Sequence, residues 1–167
     1  MSELSFARCA CGQVECQVTG APFLSAVCYC DDCQNAARNI ERAGQGPPVA
    51  EPDGGTALCL IRDDNFRIAR GAELLQPYRL DPASATSRMV ASCCNAAMFL
   101  TFADGRFWKS IMINRMVPPG LAIEMRLCTR FRTSNLPWPD AAPRHGKFPL
   151  SAFLKVGRQW LNMKMGR

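Results

Sequence analysis

Short stretches of the chain alternate apolar and polar residues with the period of a half-buried β-strand. In QVECQV, the side chains of Val14, Cys16 and Val18 fall on one face, and the residues between them are polar. Further runs rich in strand-favouring residues lie at 24–30, 56–61, 65–69, 74–80, 97–102, 107–113 and 121–128. The turn sequence ADGR at 103–106 predicts a hairpin, because Asp-Gly adopts positive φ at little cost. This spacing predicts a mainly β, mostly antiparallel fold.

Two segments carry the period of an amphipathic helix instead. The first begins at Asp31, a residue that favours the N-cap position, and runs to about Ala43, where Gly44 stops it. The second spans about 150–165, and its apolar residues share one side: Leu150, Phe153, Leu154, Trp160 and Leu161. We expect this apolar side to pack on the domain that precedes it. A basic amphipathic helix can alternatively make a weak contact with an anionic surface or grip a partner.

Composition divides the chain into three parts. We predict a β domain over 1–135, a proline-rich connector over 136–149 and a basic amphipathic helix over 150–167. The net charge of +6 arises entirely after residue 140, because acidic and basic residues cancel before that point. A neutral body argues against a broad nucleic-acid-binding surface. No apolar run is long enough to cross a bilayer and no secretory signal is recognisable, so we expect a cytoplasmic protein.

Cysteine is the residue type that stands out in the composition. The chain has ten cysteines among 167 residues, and six of them fall within the first 33. Where thiols stay reduced, clustered cysteines indicate metal binding or redox chemistry rather than disulfides. The single histidine, His145, lies in the connector and is expected to be structural or exposed. Multi-histidine zinc sites are therefore excluded, and a Ser-His-Asp triad would need His145 itself.

The motif CYCDDC at 28–33 is the strongest chemical signal in the sequence. In an extended segment Cys28 and Cys30 project to the same side, and Cys33 lies about one turn into the helix that follows. Three thiolates placed in this way can hold a zinc ion and leave a fourth position for water or substrate. The alternative is a redox pair of Cys30 and Cys33, with Cys28 in the core.

A second group of cysteines has the composition of a structural metal site. Cys9 and Cys11 are followed by a glycine that permits the tight turn of a metal-binding knuckle. The adjacent Cys93 and Cys94 are the candidates for the two missing ligands. Both can bind only if the chain turns there, which the following NAA permits; otherwise they fill the core. The remaining cysteines are interpreted as small apolar core residues: Cys16, Cys59 and Cys128.

In its cysteine spacing the sequence resembles the glutathione-dependent formaldehyde-activating (GFA-like) enzymes, a family with an Mss4-like, zinc-containing β fold. The matching elements are CACGQV at 9–14, CYCDDC at 28–33 and the cysteine element at 91–95. The resemblance covers residues 5 to about 115 and implies an Mss4-like antiparallel β fold. It also implies two zinc ions. One is structural, held by the first CxC and a later CxxC, and the other sits at the three-cysteine motif that handles glutathione and its formaldehyde adduct.

The match to this family is complete at CxCxxC and partial elsewhere. The first CxC matches half of the structural site. At the other half, Ala91 stands where the family has the first cysteine of CxxC, so either Cys93 substitutes from a shifted position or one ligand is lost. Tyr29 stands where a histidine is common. These departures indicate a divergent branch.

Three functions are consistent with these features. The resemblance implies a carbon–sulfur lyase of the S-(hydroxymethyl)glutathione synthase type, with one or two zinc ions as cofactor and glutathione or another small thiol adduct as its partner. No catalytic base can be assigned from the sequence. The departures from the family favour a second hypothesis, a zinc-stabilised binding module without catalysis. The third is a thiol redox protein that uses Cys30 and Cys33.

Overall fold

Twelve strands and two helices make up the part of the chain, residues 4–166, that the computed structural model describes. The strands are β1 (Leu4–Arg8), β2 (Glu15–Thr19), β3 (Leu24–Cys28), β4 (Thr56–Arg62), β5 (Phe66–Arg70), β6 (Leu75–Tyr78), β7 (Thr86–Ala91), β8 (Ala96–Phe102), β9 (Trp108–Met112), β10 (Met116–Val117), β11 (Met125–Leu127) and β12 (Arg144–His145). The helices are α1 (Asp31–Ala43) and α2 (Leu150–Lys164). The prediction of a mainly β fold, with one helix after CxCxxC and one near the C-terminus, is confirmed.

The strands form two sheets. The small sheet has the order β10-β1-β2-β5, and the large sheet has the order β12-β11-β3-β4-β9-β8-β7-β6. All neighbouring strands except those that pair with β11 are antiparallel, and the predicted ADGR hairpin joins β8 to β9. One end of the large sheet differs from the expected pattern, because β11 runs parallel to both β3 and β12. This parallel corner brings the ends of β3 and β11 to the same edge of the sheet.

The main core lies between the two sheets. The alternating residues Val14, Cys16 and Val18 are fully buried, as their pattern predicted, and they pack with Cys59 of β4. Burial raises the pKa of the Cys16 and Cys59 thiols to about 12, so both stay neutral and act as small apolar side chains. The interpretation of these two cysteines as core residues is confirmed.

Helix α1 packs on the large sheet and begins at the CxCxxC motif. Its buried side includes the predicted residues Cys33, Ala36, Ala37 and Ile40. The predicted bounds are confirmed, but the predicted cap is wrong. Cys30 occupies the N-cap position, Asp31 is the first helical residue, and no side chain caps the helix. The carboxylates of the first turn still interact favourably with the positive end of the helix dipole.

Helix α2 does not dock as we expected. Its predicted apolar side is exposed: Leu150, Phe153, Leu154, Trp160 and Leu161. The buried residue of this helix is Ala152, which packs beside Leu24 and Met125, and Lys155 pairs with Glu124. The expectation is therefore wrong because the helix approaches the sheet through a small residue on a different side. No helix within the described residues is long and apolar enough to cross a membrane.

A buried ion network holds the connector against the β domain. Arg126 of β11 is 3% exposed, and its Nη1 lies 3.2 Å from Oδ2 of Asp53, while its Nη2 lies 2.8 Å from Oδ2 of Asp140 in the connector. The Tyr29 hydroxyl donates to Asp53 at 2.6 Å and accepts from Arg126. Trp138 stacks against this group, with the Arg126 guanidinium 5.6 Å from its ring centre. The three-part division of the chain itself stays a prediction.

We predict that Arg126→Leu lowers the free energy of unfolding by about 3 kcal/mol, because it leaves the carboxylate of Asp53 buried without its closest cation. The matched control is Asp104→Asn, which breaks the exposed Arg106–Asp104 pair and should cost under about 1 kcal/mol. Urea unfolding of the three proteins measures both values. An Arg126→Leu loss no larger than that of the control would show that the network does not hold the connector.

Candidate metal centres

The first cysteine cluster joins two distant hairpins. The sulfur atoms of Cys9, Cys11, Cys93 and Cys94 all lie within 4.8 Å of one another. Individual Sγ–Sγ distances are 3.3 Å for Cys11 and Cys93, 3.6 Å for Cys9 and Cys11, and 3.9 Å for Cys9 and Cys93. The structure thus brings together the four thiols that the sequence proposed for a structural site.

The β1–β2 turn presents the first two thiols. Gly12 has φ +78°, and its N–H donates to the Cys9 carbonyl at 3.1 Å. The Val14 N–H donates to the Cys9 sulfur at 3.2 Å. Burial raises the pKa of Cys9, but this backbone hydrogen bond and those from neighbouring thiols outweigh burial and lower it to about 7. The turn therefore favours a thiolate at Cys9.

A tight turn between β7 and β8 presents the other two thiols. The Cys94 N–H bonds to the Ala91 carbonyl at 3.3 Å, and Asn95 has φ +52°. The Asn95 amide donates to the Ile40 carbonyl at the end of α1 at 2.9 Å, which fixes the turn. A Cβ at Gly46 would lie 2.6 Å from the Asn95 carbonyl oxygen, so this glycine allows a close backbone approach. The chain thus makes the turn that allows Cys93 and Cys94 to point to the same site.

This cluster has the chemistry of a closed zinc site. Four cysteine thiolates complete a tetrahedral zinc site and give it a net charge of about −2. The cation next to this cluster is Arg115. Burial lowers the pKa of its guanidinium, and the negative charges of Cys94 and Cys9 partly offset that decrease. Because Cys9 and Cys11 belong to the small sheet's hairpin and Cys93 and Cys94 to the large sheet's, one ion would tie the two sheets together.

The second cluster forms where β3 meets α1. The sulfur atoms of Cys28, Cys30 and Cys33 lie within 4.8 Å of one another. Cys28 ends the strand, Cys30 caps the helix and Cys33 lies in its first turn. Cys28 and Cys33 are buried, whereas Cys30 is partly exposed. The three-thiol group predicted from CxCxxC is therefore present in the structure.

The surroundings of this cluster favour a thiolate at Cys30. Hydrogen bonds from the thiols of Cys28 and Cys33 lower the pKa of Cys30 to about 2, and Arg88 contributes a further, smaller decrease. The Arg88 side chain is buried and its Nη2 donates to the carbonyl of Asp32 at 3.2 Å. A helix N-terminus adds to this stabilisation of negative charge. The surroundings of Cys30 thus favour negative charge, which suits the binding of a cation.

A cavity of about 230 Å³ opens onto this second cluster. It is lined by the three thiol residues together with Asp32, Arg88, Arg106, Trp108 and Phe148. The site is therefore accessible to a small molecule. A larger cavity, of about 620 Å³, lies beside the Arg126 network on the other face of β3, and no cysteine lines it. The smaller cavity is thus the one that the three thiols line.

One cysteine near the second cluster is buried, as predicted from the sequence, but it has neighbours that the sequence did not indicate. Cys128 was interpreted as a core residue of a buried strand, but it follows β11 and packs with Cys28, Cys33 and the partly buried Cys30. The neighbouring Cys28 thiol lowers the pKa of Cys128. No sequence motif connects Cys128 to CxCxxC, and only the parallel pairing of β11 with β3 brings them together. His145 lies in β12 and belongs to neither cluster.

Both cysteine groups can hold a metal ion. Their donor sets consist entirely of thiols, without carboxylate or imidazole, and soft sulfur ligands of this kind suit zinc, copper(I) or iron–sulfur centres rather than magnesium or calcium. The residues present therefore fit the zinc that the sequence led us to expect.

We predict that Cys94→Ser reduces the metal content by one ion per chain, because it removes one of four ligands. The matched control, Cys59→Ala, removes a thiol that is fully buried in the core and should leave the metal content unchanged. Elemental analysis of the purified proteins by mass spectrometry measures both. Full metal content in Cys94→Ser would exclude Cys94 as a ligand.

Comparisons with known proteins place this fold in a family. No curated protein matches the sequence. A crystal structure of a Rhodobacter sphaeroides protein, a structural genomics target, is similar with a TM-score of 0.50 and 17% identity, covering 70% of this chain and 91% of that one. At that identity the likeness concerns the fold alone. The profile of DUF6151, described as a family of unknown function, matches residues 1–110, which include the seven cysteines of the two predicted sites. The chain belongs to the DUF6151 family.

Proposed function

We propose that this chain is a zinc protein with a structural ion at Cys9, Cys11, Cys93 and Cys94 and a second ion at the CxCxxC cluster. The observation that carries the proposal is the convergence of two all-thiol groups, each with its sulfur atoms within 4.8 Å of one another. Zinc is the metal we propose because tetrahedral all-cysteine sites with short ligand spacings are typical of zinc. An iron–sulfur centre would be recognised by its colour.

We propose further that the CxCxxC site acts on a small thiol and its aldehyde adduct. This is the carbon–sulfur lyase reaction of the S-(hydroxymethyl)glutathione synthase type, which the resemblance to the GFA-like family suggests. In the direction of synthesis, a bond forms between the thiol sulfur and the carbon of formaldehyde, and the thiol proton passes to the aldehyde oxygen. A bound zinc ion would favour the thiolate form of such a substrate.

The cavity residues support a substrate that carries carboxylates. Arg88 and Arg106 line the cavity with one carboxylate, that of Asp32. Arg88 is buried beside the thiols, and the exposed Arg106 pairs with Asp104 and has its guanidinium 4.3 Å from the Phe102 ring centre. Guanidinium groups bind carboxylates by paired, charge-assisted hydrogen bonds. Glutathione, with its thiol and two carboxylates, belongs to this class.

Two other functions make different predictions. A thiol redox protein would use Cys30 and Cys33, and the low pKa of Cys30 is the observation in its favour. Such a protein would be active in disulfide exchange when purified reduced and zinc-free. A zinc-stabilised binding module would hold both ions and accelerate no reaction.

We predict that the zinc-loaded protein accelerates exchange between glutathione, formaldehyde and S-(hydroxymethyl)glutathione, as measured by exchange NMR. Cys30→Ser should abolish the acceleration and lower the zinc content by one ion, because it removes a ligand beside the cavity. Cys59→Ala should retain both. Zinc bound without acceleration would exclude the lyase and leave the binding module, whereas full activity in Cys30→Ser would exclude this site as the place of reaction.

A further inference from the structure

The parallel pairing of β3 with β11 determines what lies beside the CxCxxC cluster. The register sets Leu127 opposite Cys28, and the Tyr29 N–H donates to the Leu127 carbonyl at 3.0 Å. The two strands therefore end together at one edge of the sheet. The residue that follows β11, Cys128, consequently emerges next to the residue that ends β3.

The backbone after β11 turns so that Cys128 stays at this edge. Cys128 has φ +57° and ψ +33°, in the left-handed region that non-glycine residues rarely adopt. A single helical turn follows, in which the Phe131 N–H donates to the Cys128 carbonyl at 3.1 Å. The buried amide of Gln34 in α1 donates to the carbonyls of Tyr29 at 2.6 Å and Phe131 at 2.8 Å. One side chain thus connects the loop that carries Cys128 to the motif that carries the other thiols.

We propose that Cys128 is the fourth thiol of this site, so that the CxCxxC cluster is a four-cysteine site rather than an open three-cysteine one. The inference rests on the proposed function, since it assumes a zinc ion at this cluster. Its basis is contact and burial, because Cys128 is 7% exposed and packs against Cys28 and Cys33. The Cys128 sulfur lies outside the group of three sulfur atoms that are mutually within 4.8 Å, so binding the same ion requires its side chain to move towards them.

The charges around the cluster suit four thiolates. Zinc with four thiolates carries about −2. Arg88 faces Cys30 and Cys33 from β7, and Arg130 faces Cys128 from the turn that follows it. These two guanidinium groups offset part of that charge, beside the Asp32 carboxylate that lines the same cavity. A small thiol entering the cavity would then compete with Cys128 for the fourth position.

Cadmium substitution tests this proposal without reference to activity. We expect the wild-type chain to bind two cadmium ions and to give two cadmium NMR resonances, both in the high-frequency range of four-sulfur coordination. Cys128→Ser should move only the resonance that Cys30→Ser also perturbs, towards the range of three sulfurs and one oxygen. The control Cys59→Ala should move neither.

The outcomes separate this proposal from the proposed function. Two bound ions with one wild-type resonance already in the three-sulfur range, or an unchanged spectrum in Cys128→Ser, would overturn the role of Cys128 alone. Because the wild-type spectrum is itself diagnostic, the test does not depend on the folding of the variant. A wild-type chain that binds no cadmium would overturn both.

Helix α2 carries a second, independent observation. Six large apolar side chains on one side of this segment are between 46% and 73% exposed: Leu150, Phe153, Leu154, Trp160, Leu161 and Met165. The helix meets the β domain through Ala152 and through the ion pair of Lys155 with Glu124, on a different side. A continuous exposed apolar face of this kind marks an interaction surface.

The charge of this segment indicates what the apolar face contacts. From residue 141 onward the sequence has six basic residues and no acidic one. Two of them, Arg158 and Lys164, border the apolar face, and the Lys164 ammonium lies 5.8 Å from the Trp160 ring centre. We propose that this face binds the surface of an anionic membrane, with the apolar residues in the acyl boundary and the cations at the headgroups.

Vesicle sedimentation with the full chain tests this second proposal. We expect binding to phosphatidylserine-containing vesicles, little binding to pure phosphatidylcholine vesicles, and a decrease of about tenfold or more for Phe153→Ser with Leu154→Ser. The control Ser151→Ala, at an exposed polar position on the same helix, should bind as the wild type does. Equal binding to both vesicles, or unchanged binding of the double variant, would overturn the proposal. So would a dimer that the double variant dissociates and that binds no vesicles, since the face would then belong to a second copy.

Discussion

The parallel pairing of β3 with β11 determines what lies on each face of the large sheet at the end of β3, which is the cysteine cluster on one face and the Arg126 network on the other. Because side chains alternate along β3, Cys28 faces the thiol cluster, whereas Tyr29 faces the ion network of Arg126. The same pairing carries Arg126 towards Asp53 and sets Cys128 beside Cys28. An antiparallel partner in this place would carry its following residue to the opposite edge. The place of Cys128 and the arrangement of the Arg126 network therefore both depend on this strand pairing.

The first cysteine cluster has a different role, because it connects the two sheets. Cys9 and Cys11 lie on the small sheet's hairpin, and Cys93 and Cys94 lie on a hairpin of the large sheet. A metal ion bound by four thiolates from both hairpins stabilises their contact, because the ligands are brought together only in the folded state. In the second cluster, three cysteines come from one continuous stretch of chain and Cys128 packs beside them, and the cluster opens to a cavity. This difference explains why we assign a structural role to the first cluster and a chemical role to the second.

Local patterns in the sequence predicted the local parts of this structure. The hairpin at ADGR, the bounds of α1 and the grouping within CxCxxC each depend on residues close in sequence, and each is present. The place of Cys128 depends on a pairing across about a hundred residues, which no local pattern encodes. The docking of α2 was mispredicted for a related reason. Its large apolar side chains suggested a buried side, but the residue that packs on the sheet is the small Ala152. The Arg126 network likewise could not be predicted from the sequence, because nothing in the sequence distinguishes its charged residues from ordinary surface residues.

Every metal ligand proposed for this protein is a cysteine sulfur. Zinc-edge X-ray absorption spectroscopy of the purified wild-type chain tests this assignment most directly, because it reports the kind and number of atoms around the metal. We predict a single shell of four sulfur atoms at about 2.3 Å, averaged over both ions, with no nitrogen or oxygen contribution. A shell containing nitrogen or oxygen would contradict the all-cysteine assignment, and a folded chain without bound zinc would contradict the account as a whole.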